Sequence, residues 1–315
     1  MDSARITPHE PSERLAGRVT DRPGLLAVGI IGAGRVGAVL GAALRNAGHR
    51  IVAVSAISSA SIRRAETLLP GVEIRPADQI GADVDLLLLA VPDDTLPELV
   101  AGLAQAGGIR PGQFVVHTSG RYGVEVLQAA TAIAALPMAL HPVMTFTGTT
   151  IDLDRLAGVC FGVTAPDSLR PVAETLVLEI GGDPVWIEES KRALYHAALA
   201  HGANHLVTLV ASSMDLLRAA GAGDPQRMLG PLLSAALDNA LRYGDSGLTG
   251  PVVRGDAGTV RAHIDVLAEL SPEIAAAYVT MARLTADRAL AAGLLAPADA
   301  ADLLGVFAGR REAAG

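Results

Sequence analysis

The chain has 315 residues, half of them apolar but only 3% aromatic, with a single cysteine and 33 Asp and Glu against 25 Lys and Arg, a formal charge of −8. That length suits two domains with substantial cores, and the acidic balance argues against general binding to nucleic acid or anionic membranes. The densest apolar run, 86–91, falls far short of the roughly 20 residues a membrane helix needs.

Residues 1–24 are rich in charge and proline and lack the apolar stretch of a signal peptide, so they read as a mobile tail. A cytoplasmic protein is expected. Next, the apolar strand 26–31 runs into Gly32-Ala33-Gly34-Arg35-Val36-Gly37 and then into an amphipathic helix through Val39, Leu40, Ala43 and Leu44. A G-x-G-x-x-G in that setting binds a dinucleotide: Gly32 makes the tight turn, Gly34 lets the backbone approach a pyrophosphate, and Gly37 lets helix and strand pack closely. Free N–H groups near Arg35 and Val36 point at the phosphates.

The second strand, 50–54, is followed not by the carboxylate that holds the ribose 2′-hydroxyl in NAD-preferring proteins but by Ser58, Ser59, Arg63 and Arg64. Hydroxyls and guanidinium groups bind a 2′-phosphate that a carboxylate would repel. NADP is therefore favoured over NAD, with Ser58, Ser59 and Arg63 as its contacts; a solvated polar loop is the alternative. Strands at 72–75, 85–91, 113–117 and 136–140 continue an alternating βα rhythm, which gives a doubly wound, mostly parallel sheet with ligands at the strand C-terminal ends. Those ends carry Val91-Pro92, His117-Thr118-Ser119 and His141-Pro142. A strand pair near 158–164 and 184–187 closes a domain over 25–188. Cys160 in that pair excludes an intramolecular disulfide and reads as a small buried side chain.

From 189 the pattern is all-helical. One long helix covers 191–220, interrupted in propensity only by Gly202, where close packing or ligand approach is expected. Helices at 226–243, 257–269, 272–293 and 297–308 follow. On the long helix His201, Asn204, His205 and Thr208 share a face, with Asn204 suited to orienting a carbonyl or hydroxyl, or to a helix–helix contact. Lys191 and His196 are candidate proton donors, and Tyr195 a donor or positioning group. His201 and His205 have metal-pair spacing but no third ligand, so no metal is assigned. The segment leading to 257 offers Arg254 as a carboxylate clamp, with Asp256 and Thr259 fixing the turn and Asp256 capping the helix.

This ordered set resembles bacterial Rossmann-like proteins with an uncharacterised all-helical C-terminal domain, related to the 6-phosphogluconate dehydrogenase and ketopantoate reductase superfamily. The resemblance runs through the glycine loop, Val91-Pro92-Asp93, His117 to Gly120, His141-Pro142, Tyr195-His196 with Asn204, and Gly250-Pro251 through Asp256 with Thr259. It implies NAD(P) binding, a helical substrate and dimerisation domain over 189–315, a homodimer formed through those helices, and hydride transfer to or from a small 2-oxo or 2-hydroxy acid, ketopantoate first among candidates. His141 would join Arg254, Asp256 and Thr259 in binding that substrate. The chain departs from the better understood relatives, which place an Asn four residues after a catalytic Lys; here Tyr195 follows Lys191 at that spacing. His141-Pro142-Val143-Met144 also resembles an element of prephenate dehydrogenases. An imine reductase and a non-catalytic NADP(H) sensor are the other readings.

Overall fold

A computed structural model describes residues 24–309. All of the expected tail but Gly24 lies outside those residues. The chain divides at Gly202 into two compact units.

The first unit alternates strands and helices: β1 (Ala27–Ile31), α1 (Arg35–Asn46), β2 (Arg50–Ser55), α2 (Ser59–Leu68), β3 (Glu73–Ile74), β4 (Leu86–Leu89), α3 (Leu96–Gln105), β5 (Phe114–His117), α4 (Gln128–Thr131), β6 (Leu136–Pro142), α5 (Ile151–Arg155), β7 (Cys160–Thr164), α6 (Arg170–Glu179) and β8 (Asp183–Trp186). The eight strands form one sheet in the order β3-β2-β1-β4-β5-β6-β7-β8. All neighbours are parallel except β6 and β7. The run Leu86 to Leu89 shows why its strand is continuously apolar: Leu86 and Leu88 face a core shared with α1 and α6, whereas Leu87 and Leu89 face one shared with α3 and α4. Both faces are covered, so both must be apolar. Strand order reverses beside β1, which opens a crevice at the C-terminal end of that strand.

Cys160 is exposed, contrary to the expectation of a buried thiol. Its strand pairs with β6 only from Phe161 onward, so Cys160 stands beyond the covered part of the sheet, opposite the exposed Asp183.

Beyond β8 the chain forms a 3-10 turn, Glu189–Lys191, and then α7 (Arg192–Ala219), which carries the chain from the first unit into the second. Four more α-helices follow among the described residues of the second unit: α8 (Pro225–Tyr243), α9 (Ala257–Leu270), α10 (Pro272–Ala291) and α11 (Pro297–Ala308). Asp224, Asp256 and Ser271 cap α8, α9 and α10 by accepting a backbone N–H, which satisfies donors that the first turn leaves open. Val260, Ile264, Ala282, Ala286, Leu303 and Phe307 bring α9, α10 and α11 together on one core. Among the described residues nothing comes within 4 Å of a Cβ built on Gly202, so close packing against them does not explain that glycine. No described helix is long and apolar enough to cross a membrane.

Candidate active site

The glycine loop closes tightly on β4. Gly32 has φ +102°, and a Cβ there would lie 2.5 Å from the Ala90 carbonyl oxygen. A Cβ on Gly37 would lie 2.1 Å from the Gly32 carbonyl oxygen and 2.8 Å from the Ala90 Cβ. Both positions need glycine for space, and Gly32 also for its backbone. Gly34 differs: it caps α1 with φ −66°, and a Cβ there would meet only the Ala90 oxygen, at 3.8 Å. The surface over Gly34 is open, no side chain caps α1, and no acid stands in its first turn. An uncapped helix N-terminus behind a bare backbone suits a pyrophosphate.

Two residues hold this loop in place. Ser55, at the end of β2, accepts from the Gly32 amide at 3.0 Å, while its carbonyl accepts from the Ala33 amide at 2.8 Å. Arg64 donates to the Ala33 carbonyl at 3.0 Å and lies, with Arg35, beside Gly148 in the loop after β6. That loop is fixed by Asp152, which accepts from the Gly148 amide and from the Thr147 amide and hydroxyl. Burial raises the Asp152 carboxyl, but these hydrogen bonds outweigh it and leave the group below its usual range.

Of the two adjacent arginines, Arg64 braces the loop and Arg63 is exposed on α2. The sequence names both and cannot show which side chain turns inward. Arg35, Ser58 and Ser59 are exposed; Ser58 caps α2 by accepting from the Ser61 amide. Val36 and Val91 are half-buried, and Pro92 is exposed just past β4.

A second cluster forms at the ends of β5 and β6 with the start of α7. His141 Nδ1 is 2.8 Å from the Tyr195 hydroxyl, and the ring of His141 meets that of His196 edge-on with centroids 5.9 Å apart. Arg192 is fully buried and donates to the carbonyls of Tyr122 at 2.9 Å and Gly162 at 3.1 Å, with a longer approach to Ser119. His117 is also fully buried, with Nε2 2.8 Å from the Gly123 carbonyl and Nδ1 accepting from the Ser119 amide at 3.1 Å. The Ser119 side chain accepts from the Tyr122 amide and so shapes the turn after β5. Glu189 accepts from the amides of Val124 and Glu125, which ties the entrance of α7 to the same turn.

These surroundings keep both histidines neutral. Burial, opposed in part by the Gly123 hydrogen bond and reinforced by Arg192, pushes His117 down to about 4. Burial, Arg192, His196 and His117 together push His141 down to about 4. Burial lowers Arg192 and raises the Tyr195 phenol, which therefore keeps its proton.

The structure thus gathers His141 with His196, and with Tyr195, Arg192, Gly120 and Gly162. Lys191 is exposed on the 3-10 turn, one residue ahead of α7 rather than within it, and no hydrogen bond joins it to this cluster among the described residues. Arg192 carried no signal that distinguished it from Lys191, because only the entry angle of α7 decides which of the two turns inward. Asn204, Arg254, Asp256 and Thr259 belong to the second unit. There Asn204 and Arg254 are exposed, and Asp256 accepts from the Thr259 amide and hydroxyl as the cap of α9. Those bonds hold the Asp256 carboxyl below its usual range. No group of three metal-ligating side chains is gathered among the described residues.

Residues 11–142 match the Rossmann-like domain, and residues 159–285 match a domain of unknown function, DUF2520. The two matched regions follow one another along the chain, Rossmann-like first and DUF2520 second. Comparison with curated proteins finds no match. Among solved structures, a Bacteroides fragilis protein provisionally assigned as an NADP oxidoreductase shares the fold at TM-score 0.72 and 20% identity, covering 84% of this chain and 98% of that one. A Thermotoga maritima protein follows at TM-score 0.62 and 19% identity, over 84% and 99%. A Plasmodium falciparum pyrroline carboxylate reductase with NADP bound matches at TM-score 0.53 and 10% identity, over 84% and 100%.

Proposed function

We propose that this protein is an NADP-dependent oxidoreductase that transfers hydride between the nicotinamide and a small 2-oxo or 2-hydroxy acid. The observation that carries this reading is the glycine cradle. Two of its glycines are demanded by backbone contact and the third leaves open surface at an uncapped helix N-terminus. The names of the structurally similar B. fragilis and P. falciparum proteins, an NADP oxidoreductase and a pyrroline carboxylate reductase with NADP bound, support NADP-linked reduction or oxidation but not a particular substrate. Gly32, Gly34, Val36 and Gly37 would hold the pyrophosphate, with Ser55 and Arg64 keeping the loop in shape. A bound nicotinamide dinucleotide supplies or accepts the hydride.

The chain's own residues then bind and orient the substrate. His141 is held neutral, with the ring of His196 edge-on beside it, so His141 offers a hydrogen bond to a polar substrate group without adding a fixed charge. In the second unit Asn204 and Arg254 are exposed polar groups that we propose as candidates for ligand contact, Arg254 through a carboxylate. Ketopantoate heads the candidate acids, and a cyclic imine is the second substrate class.

Arg63 is the proposed 2′-phosphate contact, being exposed beside Ser58 and Ser59. Loss of a charge-assisted hydrogen bond costs roughly 1.5–3 kcal/mol, about tenfold or more in affinity. Arg63→Glu is expected to weaken NADPH at least tenfold and to change NADH little in a fluorescence titration. Arg64→Gln is expected to weaken both, because it removes the brace on Ala33. Equal losses of the two cofactors in Arg63→Glu would remove Arg63 from the phosphate site.

A homodimer through the helical unit is part of the proposal. α7 and α8 leave Val207 at 70%, Leu232 at 63% and Leu241 at 80% exposure, and Pro225 is the sole buried residue of α8. Apolar area of that extent on two long helices is what a second copy would cover. Light scattering at micromolar concentration should give twice the mass of the chain, and a monomer would refute the dimer.

A further inference from the structure

The Tyr195 hydroxyl and His141 Nδ1 share one hydrogen bond of 2.8 Å, and either atom could donate. The surroundings decide between them. If Nδ1 carried the proton, the Tyr195 O–H would need another acceptor, and none is present among the described residues. An unsatisfied hydroxyl in a half-buried site is disfavoured. With Tyr195 donating to Nδ1 the hydroxyl and Nδ1 are both satisfied, and the imidazole proton sits on Nε2, which is left for a ligand.

Two glycines clear the space around this pair. A Cβ on Gly162 would lie 2.4 Å from the Tyr195 oxygen. A Cβ on Gly120 would lie 2.9 Å from His141 Nε2 and 2.7 Å from the His196 ring. Neither glycine has a positive φ, so space rather than backbone conformation demands them. A side chain at 120 would cover Nε2, and none is there. Among the described residues Nε2 itself has no hydrogen-bond partner, although the opposite ring nitrogen is fully engaged.

We infer that Tyr195 is the positioning residue that fixes His141 as its neutral Nε2–H tautomer, so that the site presents a hydrogen-bond donor to an acceptor on the substrate, a carbonyl or carboxylate oxygen. The substrate clause rests on the oxidoreductase reading; the tautomer does not. Tyr195 acts only through His141. The charged and titratable groups around the ring are Arg192, His196 and His117, and each disfavours a second proton on it.

The test is a two-bond ¹⁵N–¹H spectrum of the full-length protein labelled in histidine, at pH 7 without ligand, with His141 assigned by its loss in His141→Asn. The expected spectrum shows a protonated Nε2 and an unprotonated Nδ1 on His141. In Tyr195→Phe the tautomer ratio should fall at least tenfold while the backbone amide spectrum stays that of the folded protein. A protonated Nδ1 or a cationic His141 in the wild type would overturn the inference. So would an unchanged ratio in Tyr195→Phe. The wild-type spectrum decides the tautomer even if that variant fails to fold. If the tautomer is as stated and no substrate is ever turned over, the oxidoreductase reading falls and the role of Tyr195 stands.

Discussion

Gly37→Ala is expected to abolish NADPH binding and to destabilise the first unit, whereas Gly34→Ala is expected to lose NADPH without loss of stability. The two glycines sit three residues apart in one motif, yet they meet different neighbours. At Gly37 the new methyl would press on the Gly32 carbonyl oxygen at 2.1 Å and the Ala90 Cβ at 2.8 Å, and neither can swing aside as a side-chain tip would. Relief requires α1 to move away from β1. Overpacking of this kind costs roughly 1–3 kcal/mol, and each 1 kcal/mol lowers Tm by about 2–4 °C in a domain of this size. At Gly34 the methyl would meet the Ala90 oxygen at 3.8 Å, ordinary contact, and would stand on the surface offered to the phosphates. Thermal melting with a fluorescence titration of NADPH separates the two effects. We expect at least a hundredfold loss of affinity in Gly37→Ala and at least tenfold in Gly34→Ala. Wild-type affinity in Gly34→Ala would show that the pyrophosphate does not lie over that residue.

The second large effect is a loss of stability in mild acid. His117 is fully buried, its Nδ1 faces the Ser119 amide, and Arg192 lies close by. A second proton would place a donor against a donor beside a buried cation. The folded value of about 4 lies below the ordinary 6.5, so between those values the unfolded chain binds more protons than the folded one. Stability is therefore full above pH 6.5 and falls as pH drops toward 4. His117 alone contributes on the order of 3 kcal/mol across that window, and His141 adds to it in the same direction. Urea denaturation at constant m between pH 7 and pH 4.5 should show the loss, and His117→Asn should flatten the slope while lowering stability at pH 7. A flat profile in the wild type would mean that His117 is accessible or protonated in the folded protein.

The elements of the fold were largely readable from sequence because each rests on a local pattern. The apolar run before Gly32, the strand through Leu86 to Leu89 and the helix expected from 272, which is α10, all lie where the local pattern puts them. What sequence could not supply was direction. Lys191 and Arg192 are adjacent cations, and the turn from a 3-10 segment into α7 leaves the first exposed and buries the second. Arg63 and Arg64 are sorted in the same way by the face of α2 that meets the glycine loop. Cys160 was misread because its register with β6 begins one residue later. Ser55 and Gly162 carry no motif, and Gly120 closes one without a stated purpose; what each does is visible only from what lies within about 3 Å of it.

The most direct measurement of the proposed function is NADPH oxidation by the purified protein. Ketopantoate would head a panel of 2-oxo acids and cyclic imines, with NADH as the comparison cofactor. The proposal predicts saturable turnover with at least one member of the panel and a clear preference for NADPH. Tight NADPH binding with no turnover across the panel would contradict it and make the protein a non-catalytic NADP(H) binder.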